Sequence, residues 1–380
     1  MKKLTDICDI QYGYAFDAKY FTEDSSYPQL VRIRDVKKGY SETYYSGDYS
    51  EEYILAEGDL LVGMDGEFNI AKWKCSGALL NQRVCKLTAK VGTNEEYLRF
   101  AMSKSLKEIE QRTAFVTVKH LSAKELNKLE LDIPELTKQD KIADTLSRLE
   151  RVIEARKEEL EKLDELIKAR FVELFGDLAN PKCQWKKEKL VDACKNPDDI
   201  KCGPFGTQLS KDEYCSSGVA VWEIPQINSG FATQPTHFLT DEKANQLEAY
   251  SIKSGDIAMS RKGNVGRCAV FPETMEDGII HSDVLRIRID NDLVLPVFMM
   301  HQLHYSGAVQ HQIELVSSGA IMAGINVTKL KQIEVHIPPL ELQNQFADFV
   351  KQVDKSKVAV QKVLDETQKL FDSLMQQYFG

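Results

Sequence analysis

The chain contains one long segment twice. Residues 133–176 start with the letters IPEL and end with FG, and residues 337–380 start with IPPL and also end with FG. The offset between the copies is 204 residues throughout, with no gap. Few residues are identical, but the hydrophobic positions coincide. A duplicated unit must present two similar surfaces, and this requirement limits the folds that the chain can adopt.

The repeated segment predicts a long helix with a coiled-coil seam. Apolar residues recur at spacings of three, four and seven, as in helices that pair with one another. The seam positions are Ile142, Leu146, Leu149, Ile153, Leu160, Leu163, Ile167 and Leu174 in the first copy, and Phe346, Val350, Val353, Val360, Leu364, Phe371, Leu374 and Tyr378 in the second. Each helix should extend over about 40 residues, or roughly 60 Å. A core helix of a larger bundle is the alternative, but the shared register favours pairing.

The order of the segments predicts the direction of this pairing. Because the termini of a domain usually lie close together, the end of the first helix should lie near the start of the second. The helices should therefore run antiparallel between two separate heads. The predicted domains are a head at 1–132, a spacer helix at 133–180, a head at 181–336 and a spacer helix at 337–380. The predicted fold class is α+β, with two similar mixed α/β heads joined by an antiparallel coiled coil.

The two heads also resemble each other in sequence. The stretch GDLLVGMDG at 58–66 is matched by GDIAMSRKG at 255–263, and both end in a glycine turn. Leu4–Cys8 is similarly matched by Leu190–Cys194. The framework is shared whereas the loops differ, which predicts two heads of one fold with different targets.

The composition is typical of a soluble intracellular protein. No apolar run approaches the ~18 residues of a membrane span, and the N-terminus lacks the apolar stretch of a signal peptide. The eight cysteines are scattered without a CxxC pair, so we expect reduced thiols rather than disulfides or structural zinc. His301 and His304 are spaced to share one face of a helix, but no third metal ligand accompanies them, and we expect no metal.

Catalytic motifs are missing from the sequence. The chain has no GxxxxGK[ST] phosphate loop and no GxSxG elbow. The tetrapeptide Asn196-Pro197-Asp198-Asp199 departs at its third and fourth positions from the Asn/Asp-Pro-Pro-aromatic motif of amino-methyltransferases. The sequence therefore contains no convincing active site.

Polar, basic and aromatic residues gather in the predicted loops and strand ends of both heads. Arg, Asn and Gln side chains can each form two hydrogen bonds with a base edge. The candidates in the first head are Tyr12, Arg32, Arg34, Lys37, Lys38, Asn81, Gln82, Arg83, Thr117, Lys119 and His120. The candidates in the second head are Trp222, Gln226, Asn228, Ser260, Arg261, Lys262, Asn264, Arg267, His281 and Ser282. The net charge of −9 argues mildly against nucleic acid, but it does not exclude local basic faces.

The order of these features resembles that of the specificity subunits of type I restriction–modification enzymes. The resemblance covers the whole chain and rests on the duplicated helix, the two GD stretches, VKHLS at 118–122 and NPKCQW at 180–185. It implies that the heads are target-recognition domains for double-stranded DNA and that the helices are spacers.

The resemblance also implies partners and cofactors. The chain would be a non-catalytic, cytoplasmic subunit that carries two methyltransferase subunits and restriction subunits. S-adenosylmethionine, ATP and Mg²⁺ would bind to those partners, and no cofactor would bind to this chain.

The residues alone leave two other functions open. One is a duplicated scaffold that binds proteins or glycans without a DNA role, and the other is a self-contained methyltransferase or nuclease. Binding of S-adenosylmethionine by the isolated chain would indicate the enzyme. Duplex binding only in the presence of a methyltransferase partner would indicate the specificity subunit.

Overall fold

The packing of the chain divides it into two compact units. The computed structural model describes residues 1–112, 120–178, 180, 183–317 and 324–380. The first unit contains Met1–Glu158 and Gln361–Gly380, and the second contains Glu159–Val360. Each unit thus holds one head together with parts of both repeated segments. The exact domain limits at 132, 180 and 336 stay predictions. None of the helices described is long and apolar enough to cross a membrane.

The first head is built around an antiparallel sheet. Its strands are β1 (Lys2–Lys3), β2 (Cys8–Tyr12), β3 (Phe21–Thr22), β4 (Leu30–Val31), β5 (Tyr44–Tyr45), β6 (Ile54–Leu55), β7 (Leu60–Gly63), β8 (Asn69–Lys72), β9 (Ala78–Leu80), β10 (Val84–Ala89) and β11 (Glu130–Leu131). Its helices are α1 (Leu4–Ile7), α2 (Glu95–Arg112) and α3 (Ala123–Lys128). The main sheet has the order β2-β10-β7-β8, and a smaller sheet has the order β4-β9-β6. Strand β1 pairs with β11, which brings the two ends of the head together.

Strand β7 is buried on both faces of the main sheet, as its unbroken apolar run requires. Leu60 and Val62 belong to the core that also contains Phe100 of α2. Leu61, which points to the opposite face, belongs to a second core with Trp73. The alternation of side chains along a strand explains why one short strand supplies both cores.

The second head repeats the main sheet of the first head and the parallel strand pair of its smaller sheet. Its strands are β12 (Lys186–Lys189), β13 (Ile200–Cys202), β14 (Val219–Trp222), β15 (His237–Leu239), β16 (Ser251–Ile252), β17 (Ile257–Ser260), β18 (Cys268–Val270), β19 (Gly278–Ile280), β20 (Val284–Ile287) and β21 (Glu334–Ile337). Its helices are α5 (Ile224–Asn228), α6 (Asp241–Gln246), α7 (Pro296–Tyr305), α8 (Gly307–Ser317) and α9 (Val327–Leu330). The order β13-β20-β17-β18 corresponds to β2-β10-β7-β8, and β12 pairs with β21 as β1 pairs with β11. The parallel pair of β14 and β19 likewise repeats that of β4 and β9.

The repeated segments form two helices of 40 residues each, α4 (Leu136–Phe175) and α10 (Leu340–Phe379). In the first unit, Leu146 near the start of α4 shares a core with Phe371 near the end of α10. In the second unit, Phe171 near the end of α4 contacts Phe346 near the start of α10, with ring centroids 5.4 Å apart. The helices therefore pair in opposite directions within each unit, and the antiparallel prediction is confirmed.

The predicted seam is confirmed along both helices, although it omitted two buried residues of α4. The buried seam residues are Ile142, Leu146, Ile153, Ile167, Phe346, Val350, Val353, Val360 and Leu364. The other seam positions are partly buried. Phe171 and Phe175 were not predicted, yet both are buried because they pack against Phe298 of α7. At this end, α4 therefore also serves as a core helix of the second head.

A glutamine anchors the first turn of each long helix. Gln139 accepts a hydrogen bond from the backbone N–H of Asn94 at 2.9 Å and donates to the carbonyl oxygen of Pro134 at 2.8 Å. Gln343 makes the equivalent bonds to Leu295 and Pro338, both at 2.8 Å. Both side chains are fully buried. The offset of 204 residues thus preserves a hydrogen-bonding role as well as a hydrophobic pattern.

The histidines singled out in the sequence lie in an apolar environment. His301 is buried against the rings of Tyr305 and Phe346, and burial lowers its pKa to about 3. His304 accepts a hydrogen bond from the backbone N–H of Cys268 at 3.1 Å, and burial lowers its pKa to about 4. No cluster of three metal-ligating side chains occurs within the described ranges. The cysteines are free thiols.

Candidate nucleic-acid interface

Three turns of the first head meet at one end of β7 and β10. The turn after β7 contains Asp65, the turn before β10 contains Arg83, and His120 forms an isolated β-bridge with Asp65. The backbone N–H of Met64 donates to the carbonyl oxygen of Arg83 at 2.9 Å, and that of Leu121 donates to Met64 at 2.7 Å. These two bonds fix the three turns against one another.

The side chain of Arg83 is held in place within this cluster. Its Nη1 lies 3.0 Å from Nδ1 of His120, and its Nε lies 3.5 Å from Oδ2 of Asp65. His120 also contacts the Asp65 carboxylate. The φ angle of Arg83 is 70°, a left-handed conformation that costs a residue other than glycine roughly 1–2 kcal/mol. A strained backbone at an exposed cationic residue is typical of a functional position.

A second basic segment of the first head follows β4. Asp35 is buried and accepts hydrogen bonds from the backbone N–H of Arg32 at 3.0 Å and from the hydroxyl of Ser41 at 2.9 Å. Lys37 forms an ion pair with Glu67, which lies in the turn after β7. This pair connects the segment to the cluster around Asp65. The exposed cations of the segment are Arg32, Arg34, Lys37 and Lys38.

The remaining candidates of the first head differ in exposure. Asn81 is buried, and its Oδ1 accepts a hydrogen bond from the backbone N–H of Gln82 at 2.9 Å. The side chain of Gln82 is exposed. The Tyr12 hydroxyl donates to Oδ1 of Asn127 at 3.0 Å, and burial raises the pKa of Tyr12. Thr117 and Lys119 lie outside the residues that the structure describes.

The second head builds the same junction from different residues. The backbone N–H of Arg261 donates to the carbonyl oxygen of Asp283 at 2.8 Å, and that of Ile325 donates to Arg261 at 3.1 Å. These bonds are the counterparts of those around Met64. A glycine also packs against the same turn in each head. A Cβ at Gly13 would lie 2.0 Å from the Asn81 carbonyl oxygen, and one at Gly203 would lie 2.3 Å from that of His281.

Cations project from this junction in the second head as well. Lys262 Nζ lies 2.8 Å from Oδ1 of Asp283. The guanidinium of Arg261 lies 4.8 Å from the centre of the Phe205 ring, close enough for a cation–π contact. His281 Nδ1 accepts a hydrogen bond from the backbone N–H of Asp283 at 3.2 Å. The other candidates on this surface are the exposed Asn264 and Arg267 and the partly buried Ser282.

Some candidates of the second head lie inside the protein. Trp222 is buried against Phe231 and Phe271, with ring centroids 5.5 and 5.1 Å away. Gln226 is buried and donates to the carbonyl oxygen of Gln234 at 3.0 Å, whereas Asn228 is partly buried. Ser260 is fully buried in β17. Trp222, Gln226 and Ser260 are therefore hardly accessible in this structure, and their role in DNA binding stays a prediction.

Sequence reasoning did not single out the acidic and aromatic residues that hold the cations. They are Asp65, Glu67, Phe205 and Asp283. Aligning the turns of the two heads would have drawn attention to Asp65 and Asp283, because each lies where the other head has a cation. Nothing in the sequence indicated Glu67 or Phe205.

Comparison with known proteins identifies the family. Residues 1–165 and 185–367 match the type I restriction modification DNA specificity domain. The EcoBI specificity subunit of Escherichia coli is 27% identical and aligns with 99% of this chain and 84% of its own length. The MjaVIII specificity subunit of Methanocaldococcus jannaschii is 21% identical over 86% of this chain and 79% of its own.

Solved structures share the fold. The type I restriction–modification S subunit from M. genitalium superposes with a TM-score of 0.61 at 15% identity, covering 100% of this chain and 95% of its own. A chain from a study of complex assembly in a type I system superposes with a TM-score of 0.53 at 18% identity, covering 99% and 96%. Because the family domain matches both heads and most of the long helices, this chain belongs to the DNA specificity subunits of type I restriction–modification systems.

Proposed function

We propose that each head binds duplex DNA at the junction of its turns and reads one half of a split, asymmetric site. The observation that carries this proposal is the repeated junction, in which identical backbone hydrogen bonds present different side chains. Phosphate contacts orient a protein on DNA, whereas contacts with base edges give specificity. One framework with two sets of side chains is what the recognition of two different half-sites requires.

The candidates that are accessible to solvent, wholly or in part, would make these contacts. In the first head, Arg83 and His120 lie at the centre of the surface, and the cationic segment Arg32–Lys38 lies beside them through the contact between Lys37 and Glu67. In the second head, Arg261 and Lys262 lie at the centre. Guanidinium groups match both phosphate and guanine, so these residues suit either kind of contact.

We also propose that α4 and α10 each carry one methyltransferase subunit, to which restriction subunits are added. Leu166 of α4 is 47% exposed, and Leu370 of α10, at the same repeat position, is 50% exposed. Matched exposed leucines on two copies of one helix provide two equivalent apolar contacts for two copies of one partner. The chain itself is the non-catalytic component, as its family membership implies.

The cofactors of the complex would lie outside this chain. S-adenosylmethionine, ATP and Mg²⁺ would bind to the partner subunits, and the complex would act on DNA in the cytoplasm. Calorimetry of the isolated chain with S-adenosylmethionine tests the first part. Binding to the chain alone would favour an enzyme and contradict this assignment.

Methylome sequencing tests the central proposal. Cells that express this chain with its methyltransferase partner should carry methylated adenines in a single motif with two specific halves and an unread gap. Cells with the methyltransferase alone should lack that motif. A scaffold that binds only proteins or glycans would leave the methylome unchanged when this chain is added, and that result would overturn the proposal.

A further inference from the structure

One ion pair occupies the same place in both heads with its charges exchanged. Val84 of β10 pairs with Gly63, and Val284 of β20 pairs with Ser260. Arg83 precedes Val84 and Asp283 precedes Val284, so Arg83 and Asp283 occupy equivalent positions. Asp65 and Lys262 are also equivalent, because they lie two residues after Gly63 and Ser260.

The cation is the more exposed partner in both heads. The side chain of Arg83 is 50% exposed and that of Asp65 is 23% exposed. In the second head, Lys262 is 38% exposed and Asp283 is 27% exposed. In the first head the cation is Arg83, in the turn before β10. In the second head it is Lys262, in the turn after β17, the strand that corresponds to β7. The outward position of the positive charge is thus preserved although its source in the chain is exchanged.

Folding stability does not explain this arrangement. Ion pairs that remain accessible to water contribute little to stability, because solvent screens them and the side chains lose conformational freedom. The first pair is also attached to the left-handed backbone of Arg83, which is an unfavourable conformation. An anionic ligand that lies against the surface does explain why the positive member faces outward in both heads.

We propose that this charge-exchanged pair determines one base position in each half-site, with Asp65 and Asp283 as positioning residues for the cations that contact DNA. The inference rests on the proposed function, since it assumes that these turns face the duplex. Asp65 and His120 engage Nε and Nη1 of Arg83, and Nη2 forms no hydrogen bond with the described part of the chain. The guanidinium is thereby oriented before DNA binds, which reduces the entropic cost of the contact.

The two heads would use this position differently. The planar guanidinium of Arg83 suits a directional contact with guanine, which offers the acceptors O6 and N7. The ammonium of Lys262 is a compact charge with three rotatable donors and imposes less direction. The first head should therefore discriminate more strongly at this base position than the second.

The test uses the complete complex with its methyltransferase partner and two variants of the first head. D65N removes the charge that orients Arg83 and keeps the shape of the side chain. The double variant D65K/R83D gives the first head the arrangement of the second, and aspartate tolerates the left-handed backbone at position 83 better than most residues. D17N is the matched control, because Asp17 forms an exposed ion pair with Lys19 at 2.9 Å elsewhere in the same head.

Binding to duplexes that carry each single base substitution provides the readout. D65N should reduce the preference for the cognate base at one position of one half-site by about tenfold. D65K/R83D should change the preferred base at that position, and the other half-site should stay as it was. D17N should alter neither half-site.

Two outcomes would overturn the inference. One is an unchanged preference at every position in both variants while their thermal unfolding matches that of the parent complex. The other is a uniform loss of DNA affinity without any change in base preference, which would show that Arg83 contacts a phosphate rather than a base. If the parent complex itself shows no half-site preference, the proposed function has failed, and that result is distinguishable from both.

Discussion

Single residues reveal how closely the two halves of the chain correspond. Gln139 and Gln343, in the first turns of α4 and α10, satisfy equivalent backbone groups of the heads and of the residues that precede each helix. The sequence showed that both are glutamines at equivalent positions, but their hydrogen bonds depend on loops of the heads that share no obvious motif. A buried polar side chain is retained where its removal would leave several backbone groups without partners.

Replacing Gln343 with leucine should destabilise the second unit by about 3 kcal/mol, because the N–H of Leu295 and the carbonyl oxygen of Pro338 would lose their partner in the interior. Urea denaturation of the purified chain measures this loss. The control N344A removes a nearby exposed amide on the same helix and should change the free energy of unfolding very little. A loss for Q343L no larger than that for N344A would contradict the role assigned to this glutamine.

His301 should make the second unit sensitive to acid. Burial lowers its pKa from 6.5 to about 3. The imidazole is therefore protonated near pH 6.5 in the unfolded chain but stays neutral in the folded chain until the pH approaches 3. Stability is therefore fully present above pH 6.5 and falls as the pH decreases towards 3. At pH 5 this one residue should cost about 2 kcal/mol.

Unfolding measured at pH 7.5 and pH 5 checks the effect of His301. H301L should lose less stability between these values than the parent chain does, and the remaining loss would include that of His304, whose pKa is lowered to about 4. H311Q is the control, because His311 is exposed. Equal acid sensitivity of H301L and the parent chain would refute the prediction.

At the scale of the secondary-structure elements, the long helices were predictable and the details of the heads were not. The apolar spacing recurs over some 40 residues in two copies. A short apolar stretch could be helix or strand, but a pattern of this length indicates a helix. The sheets consist of short strands whose register depends on pairing between distant residues. Trp222 illustrates the difficulty, since an aromatic residue at a strand end fits a binding surface and a core equally well, and the structure buries it.

The repeat predicts that the helices have two equivalent contacts for partners. L166D and L370D should each reduce the number of methyltransferase subunits bound from two to one, because a charge would replace an exposed apolar contact. The double variant should bind none. Native mass spectrometry of the reconstituted complex counts the subunits. S356D serves as the control at an exposed polar position of α10, and full binding by L166D/L370D would show that the partners contact another surface.

At the scale of the whole molecule, each head begins and ends in a two-stranded pairing. Strand β1 pairs with β11, and β12 pairs with β21, so each head closes on itself before the chain enters a long helix. The duplication visible in the sequence predicted two similar heads, but not these terminal strand pairings. It did not predict β15, the strand that extends the smaller sheet of the second head, because the loops carry no trace of the repeat.

Exchanging one head should therefore change one half of the recognised site. Replacement of residues 4–129 with the corresponding segment of a relative keeps β11 and both long helices of this chain. Methylome sequencing should then show a new sequence in one half of the motif and the original sequence in the other. A change in both halves, or in neither, would show that the heads do not read DNA independently.

The last turns of α10 belong to the core of the first unit, and this has a consequence for synthesis on the ribosome. Phe371 contacts Phe100, and Phe379 contacts Tyr97, with centroids 6.1 and 5.2 Å apart. The first head is translated early, yet its core is completed only by α10, which is translated after the second head. A polypeptide released before that point would leave these aromatic rings uncovered, and exposed apolar surface marks a chain for aggregation or degradation. Truncated messenger RNAs should therefore yield little stable protein, and subunits with only one functional head should not accumulate.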